Sequence, residues 1–98
     1  MTTSTKNTPF SPTGLYADNI TSTSYKLHWD RPEDFKEDSQ FVIYQDNKKL
    51  FTIPLGAEPS INLLSLQPGQ TYISYVTQIN PQDVESLPSN KVSVTTLV

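Results

Sequence analysis

Chemistry needs convergent titratable groups, and this chain offers few. Its single histidine, His28, sits in the run Tyr25-Lys26-Leu27-His28-Trp29-Asp30. There it alternates with apolar neighbours, so it belongs to the water-facing side of a strand. No Gly-x-Ser-x-Gly elbow supplies a nucleophile for it. The three glycines are scattered and form no phosphate loop. Without cysteine there is no thiol nucleophile, disulfide or thiolate metal site. Glu33, Asp34, Glu37 and Asp38 could offer oxygens to a hard cation. Their order fits no calcium-loop spacing, and Arg31 and Lys36 dilute the local field, so the segment reads as a solvated acidic loop. No catalytic residue, metal ligand or cofactor site is expected.

Composition narrows the class further. A chain of 98 residues builds one core. A net charge of -3 draws it towards neither nucleic acid nor anionic lipid. No apolar run reaches the ~18 residues of a membrane span, and the start of the sequence carries no export signal. Residues 1–11, mostly Thr, Ser, Asn and Pro, are expected to form a flexible arm or linker. Residues 12–98 carry the folded domain.

From Pro12 onwards, short runs of Val, Ile, Leu, Tyr and Thr alternate with turn residues, which predicts an all-β sandwich. Seven strands are expected, near residues 13–20, 25–30, 41–45, 50–53, 60–64, 71–80 and 91–96. In the first, Leu15, Ala17 and Ile20 are the core candidates. In the second, Tyr25, Leu27 and Trp29 face inwards. Asp46-Asn47-Lys48 can turn tightly, because Asp and Asn tolerate positive φ. The predicted core comprises Leu15, Leu27, Trp29, Ile43, Leu66, Tyr72, Val76, Val92 and Val94.

Several of these segments resemble one family. Pro12-Thr13-Gly14-Leu15, Ser22-Thr23-Ser24 and Leu27-His28-Trp29 are similar to the opening of a fibronectin type III domain. Phe41-Val42-Ile43-Tyr44-Gln45-Asp46-Asn47 resembles its third strand and turn in the bacterial and phage form, with Asn47 where glycine is usual. Leu66-Gln67-Pro68-Gly69-Gln70-Thr71-Tyr72 carries the most specific signature. Asn80, Glu85-Ser86-Leu87-Pro88-Ser89 and Val92-Ser93-Val94-Thr95-Thr96 complete the pattern. The resemblance implies a seven-stranded, immunoglobulin-like antiparallel sandwich. It also implies that Trp29 anchors the core and that the Tyr72 hydroxyl bonds backbone near the preceding turn, as in a tyrosine corner. Ser74 and Gln78 depart from the family's apolar preference, and Asp83-Val84 stands where many members have glycine.

The resemblance implies a non-catalytic structural or protein-interaction module of a larger extracellular or phage-particle protein. The alternative is a carbohydrate or cell-surface binding module of a polysaccharide-degrading enzyme, with Tyr16, Tyr44 and Tyr75 as its exposed aromatics. The absent export signal favours the phage host. The integrin-binding role of some relatives does not carry over, since Arg31 precedes Pro32 and no Arg-Gly-Asp exists. Asn19-Ile20-Thr21 is a formal N-glycosylation acceptor, unused in a bacterial or phage source. If Phe41 and Ile43 point inwards with Tyr72 and Val76, then Val42, Tyr44, Ile73, Tyr75 and Ile79 share one outer sheet face. That set is the candidate interaction face. Its expected partners are neighbouring domains or subunits, or glycans on a cell surface.

Overall fold

Period-two alternation decides which side of each strand is buried. In a computed structural model describing residues 8–53 and 58–98, Tyr25, Leu27 and Trp29 are buried while Lys26 and His28 remain partly accessible. The strands are β1 (Thr13–Asp18), β2 (Tyr25–Asp30), β3 (Gln40–Gln45), β4 (Lys48–Ile53), β5 (Ser60–Leu63), β6 (Thr71–Ile79) and β7 (Val92–Thr95). They form a three-stranded sheet, β1-β2-β5, and a four-stranded sheet, β4-β3-β6-β7. Every pairing is antiparallel, and no helix occurs among the described residues. The fold is the all-β sandwich that the strand pattern predicts.

Two inner faces meet to make the core. Leu15, Leu27, Trp29 and Leu63 come from one sheet, and Phe41, Ile43, Ile53, Val76 and Val94 from the other. Trp29 meets the Phe41 ring edge-on at 5.2 Å between centroids, and Phe35 stacks on Phe41 at 4.4 Å. Leu66, Tyr72 and Val92 pack against this cluster but are only partly buried. Ile20 is a correction. Asn19 adopts φ +50 and ends β1, which leaves the Ile20 side chain 38% exposed outside the strand.

The turns follow their residue chemistry. Asp46 and Asn47 take φ of +51 and +66, the two positive values a tight hairpin between twisted strands requires. Asp46 then locks the tip onto β6. Its N–H donates to the Ile73 carbonyl at 2.8 Å, and its Oδ1 accepts the Ile73 N–H at 3.0 Å. Gly69 takes φ +66 before β6, and the Tyr72 hydroxyl accepts the Gln67 N–H at 2.9 Å. This is the tyrosine corner.

The polar residues inside β6 find specific partners, although Gln78 Oε1 is buried without one among the described residues. Ser74 Oγ lies 2.7 Å from the Tyr25 hydroxyl, which also donates to Gln45 Oε1 at 3.1 Å. Burial pushes the Tyr25 phenol pKa up, although the Ser74 hydrogen bond opposes the shift. Gln78 donates from Nε2 to the Phe10 carbonyl at 2.9 Å and to Asp34 Oδ1 at 3.0 Å. Asp34 Oδ2 accepts the Phe10 N–H at 2.9 Å. Side chains thus hold both backbone groups of Phe10, and Pro9 beside it is buried. The packed unit therefore starts before Pro12. Only residues 8–11 of the expected arm are described, and residues 1–7 lie outside the described residues.

Pairing of β7 with β6 covers only Thr71–Ser74. Beyond it, Ser86 and Ser89 serve the β6 edge. Each donates its N–H to a β6 carbonyl, those of Gln78 and Val76, at 2.7 and 2.8 Å. Each hydroxyl accepts the N–H of the same β6 residue, at 2.9 and 3.0 Å. Serine hydroxyls replace ladder carbonyls here, so Pro88 can sit between them with no N–H to give. Asn90 then bridges to β1, accepting the Leu15 N–H at 3.0 Å and donating to its carbonyl at 2.9 Å.

Candidate interaction face

The outer face of the four-stranded sheet is set by the β3–β6 register. Tyr44 pairs with Tyr75, Val42 with Thr77, and Gln40 with Ile79. Partners share a face, so Val42, Tyr44, Tyr75, Thr77 and Ile79 lie on the side away from the core, with Ile73 one step further along β6. Ile73 is 44% exposed, while Tyr44, Tyr75 and Ile79 are partly exposed. The two tyrosine rings stack at 4.6 Å and 12°.

Val42 does not belong to the exposed set. It is 0% exposed, and its partner Thr77 is 3% exposed. Glu85 caps Thr77. Its Oε2 accepts the Tyr44 hydroxyl and, at 2.7 Å, the Thr77 hydroxyl. The β6–β7 loop brings the carboxylate there. Asn80 Oδ1 accepts the N–H groups of Gln82 and Val84 at 3.0 and 2.9 Å. Asp83 takes φ +65, the conformation that glycine supplies more readily elsewhere, and Glu85 bridges back to Ile79. Tyr44, Glu85 and Thr77 thereby form a small polar cap on the outer face. The hydrogen bond to Glu85 is the main cause that pushes the Tyr44 pKa up to about 12, with burial and the carboxylate charge adding to it.

Lys91 completes the face, with its Nζ 5.6 Å from the Tyr75 ring centroid. Lys49 is the β4 partner of Tyr44. Strand alternation could not reveal Glu85, which lies in a loop, and Lys91, expected to open the last strand, stands just before β7. Thr77 was accessible to that reasoning as an outward residue. Its burial follows only from the loop that folds over it.

The other candidates are occupied by structural contacts. His28 Nε2 lies 2.7 Å from Asp18 Oδ1, and the ring stacks on Tyr16 at 4.8 Å. Of the acidic loop, Asp34 holds Phe10 and Gln78. Among the described residues no group of three or more side chains could hold a metal ion. Tyr44 and Tyr75 present their faces to one another, so they form no coplanar platform for a sugar ring. Asn19 is exposed at the end of β1.

Two sheets, a tryptophan on β2 and a tyrosine corner define a known family. The family model for the fibronectin type III domain matches residues 10–95. The chain belongs to the fibronectin type III family. No curated protein matches it. Among solved structures, it is similar to a Yersinia enterocolitica family 28 exopolygalacturonase, with a TM-score of 0.79 and 16% identity over 91% of this chain. The chain spans only 20% of that enzyme. It is also similar to the domain of human fibronectin type III domain containing protein 3, with a TM-score of 0.76 and 19% identity over 98% of this chain and 93% of that one. A chitinase from Bacillus thuringiensis matches with a TM-score of 0.74 and 18% identity over 92% of this chain and 14% of its own length. At these identities the likeness is one of fold. Fibronectin type III domains are a non-catalytic module type.

Proposed function

We propose that the chain is an interaction module of a larger extracellular or phage-particle protein, and that it docks a neighbouring domain or subunit through the outer face of its four-stranded sheet. The observation that carries this reading is the cluster of Tyr44, Tyr75 and Ile73, with Ile79 on the same face beyond the Glu85–Thr77 cap. Apolar and aromatic groups gathered on one sheet face mark an interaction surface more than scattered ones do. The sandwich beneath holds them in place, because Tyr44 is tied to Glu85 and Ile73 to Asp46 through hydrogen bonds.

Covering a few hundred Å² at roughly 25 cal/mol per Å² gives several kcal/mol, most of which association entropy offsets. An isolated domain is therefore expected to stay monomeric, while a tethered neighbour holds the contact by effective concentration. The test is Tyr75→Lys in the isolated domain and in its parent protein. A near-normal fold in isolation with impaired docking in the parent supports the face. Unchanged docking refutes it. The carbohydrate-binding alternative loses support from the mutual stacking of Tyr44 and Tyr75, although modules of similar fold occur in the polygalacturonase and the chitinase.

A further inference from the structure

The contact face carries a charge pattern as well as an apolar one. One cross-strand row runs Lys49, Tyr44, Tyr75, Lys91, with the first three fixed by register and Lys91 lying over the Tyr75 ring. Lys49 lies across from Tyr44 on the neighbouring strand and Lys91 over the Tyr75 ring, so the two lysines flank the ring pair. The carboxylates bordering the row are already engaged. Glu85 accepts two hydroxyls, and Asp46 accepts the Ile73 N–H. Among the described residues, the Tyr75 hydroxyl makes no hydrogen bond. The row thus offers donors on both sides of an apolar centre, in a chain whose overall charge is -3.

We infer that this face takes an extended peptide segment, contributed by a neighbouring domain or subunit, whose sheet-facing side chains are acidic and apolar in turn, in the pattern acidic-x-apolar-x-acidic. The inference rests on the proposed interaction face and specifies its ligand. Charge complementarity selects the acidic groups, which reach Lys49 and Lys91 at the two ends of the row. The exposed Ile73 and the ring pair select apolar side chains between them. An acidic polysaccharide would satisfy the lysines but bring no apolar side chain to Ile73. A strand-like peptide supplies both, because every second side chain turns to the same face, so acidic and apolar residues placed two apart meet the sheet together.

The experiment is amide chemical-shift titration of the isotope-labelled chain with short synthetic peptides. Each carries Ser at every second position; at the positions between, one alternates Glu with Leu, one Lys with Leu and one Glu with Ser, and polygalacturonate serves as the acidic polymer. The Glu/Leu peptide is expected to move the amides of Tyr44, Ile73 and Tyr75 and to weaken as salt is raised. The double variant Lys49→Glu/Lys91→Glu should bind it more weakly by on the order of tenfold, the sum of two rim charge contacts. The inference is overturned if the Lys/Leu peptide, the Glu/Ser peptide or polygalacturonate binds as well as the Glu/Leu peptide, or if the double variant binds unchanged. In the parent protein the two readings separate. Docking lost in Tyr75→Lys but kept in the lysine double variant sinks the acidic ligand alone, and docking kept in both sinks the face.

Discussion

Removing Glu85 should cost far more than a surface carboxylate usually does. In Glu85→Ala the Tyr44 and Thr77 hydroxyls lose their shared acceptor. Tyr44 is partly exposed and can turn to water, which limits its loss to about 1 kcal/mol. Thr77 is 3% exposed with Glu85 over it and loses its acceptor as well, at about 1–2 kcal/mol more. The sum of about 2–3 kcal/mol lowers the melting temperature of a domain this size by roughly 8–20 °C. Glu85→Gln keeps an acceptor and loses only the charge, at a cost of about 1 kcal/mol.

The same contact sets an alkaline limit. The folded state holds the Tyr44 proton up to about 12, whereas an unfolded tyrosine releases it near ~10. The raised value means that the stabilisation is complete below pH ~10 and disappears as pH rises to about 12. Solvent at the sheet surface screens the interaction, so its contribution is about 1 kcal/mol rather than the full equivalent of the shift. Denaturant melts of both variants, with the Tyr44 ring carbon shift followed against pH, check the reasoning. In Glu85→Gln the Tyr44 midpoint should fall towards ~10. A loss below about 0.5 kcal/mol in Glu85→Ala, the range of ordinary surface changes, with the Tyr44 midpoint unmoved, refutes the cap.

Trp29→Ala should cost about 3–5 kcal/mol, a large share of the ~5–15 kcal/mol a domain holds; a cooperative melt within a few degrees of wild type contradicts the packing on Phe41. Gly14→Ala should destabilise by more than about 1 kcal/mol, because φ is +67 and an added Cβ would lie 2.5 Å from Asp30 Oδ2. Asn47→Gly should do the reverse, gaining up to about 1 kcal/mol at φ +66 in the β3–β4 turn. Thermal melts of the two variants should move in opposite directions.

Much of this architecture was legible from residue order. Alternation in Tyr25–Trp29 sets an inside and an outside whatever the partner strand is, because pleating admits only two faces. Asp46-Asn47 and Pro68-Gly69 fix where the chain reverses, since few other residues accept those backbone angles. The face carrying Tyr44, Ile73, Tyr75 and Ile79 followed from the same parity once strands 41–45 and 71–80 were paired. Ile20 failed because a run of strand-forming residues does not mark its own end, and Asn19 ended the strand first.

Local pattern could not decide what lies over each face. Val42 and its partner Thr77 alternate like exposed residues, yet both are buried, and the loop after β6 brings Glu85 over Thr77. Gln78 has the composition of a misplaced core residue until Phe10 and Asp34, distant in sequence, supply its partners. Parity and turn chemistry act between neighbours and are written in the sequence. Burial and hydrogen-bond satisfaction depend on whichever segments the fold carries alongside, so only the tertiary structure decides them.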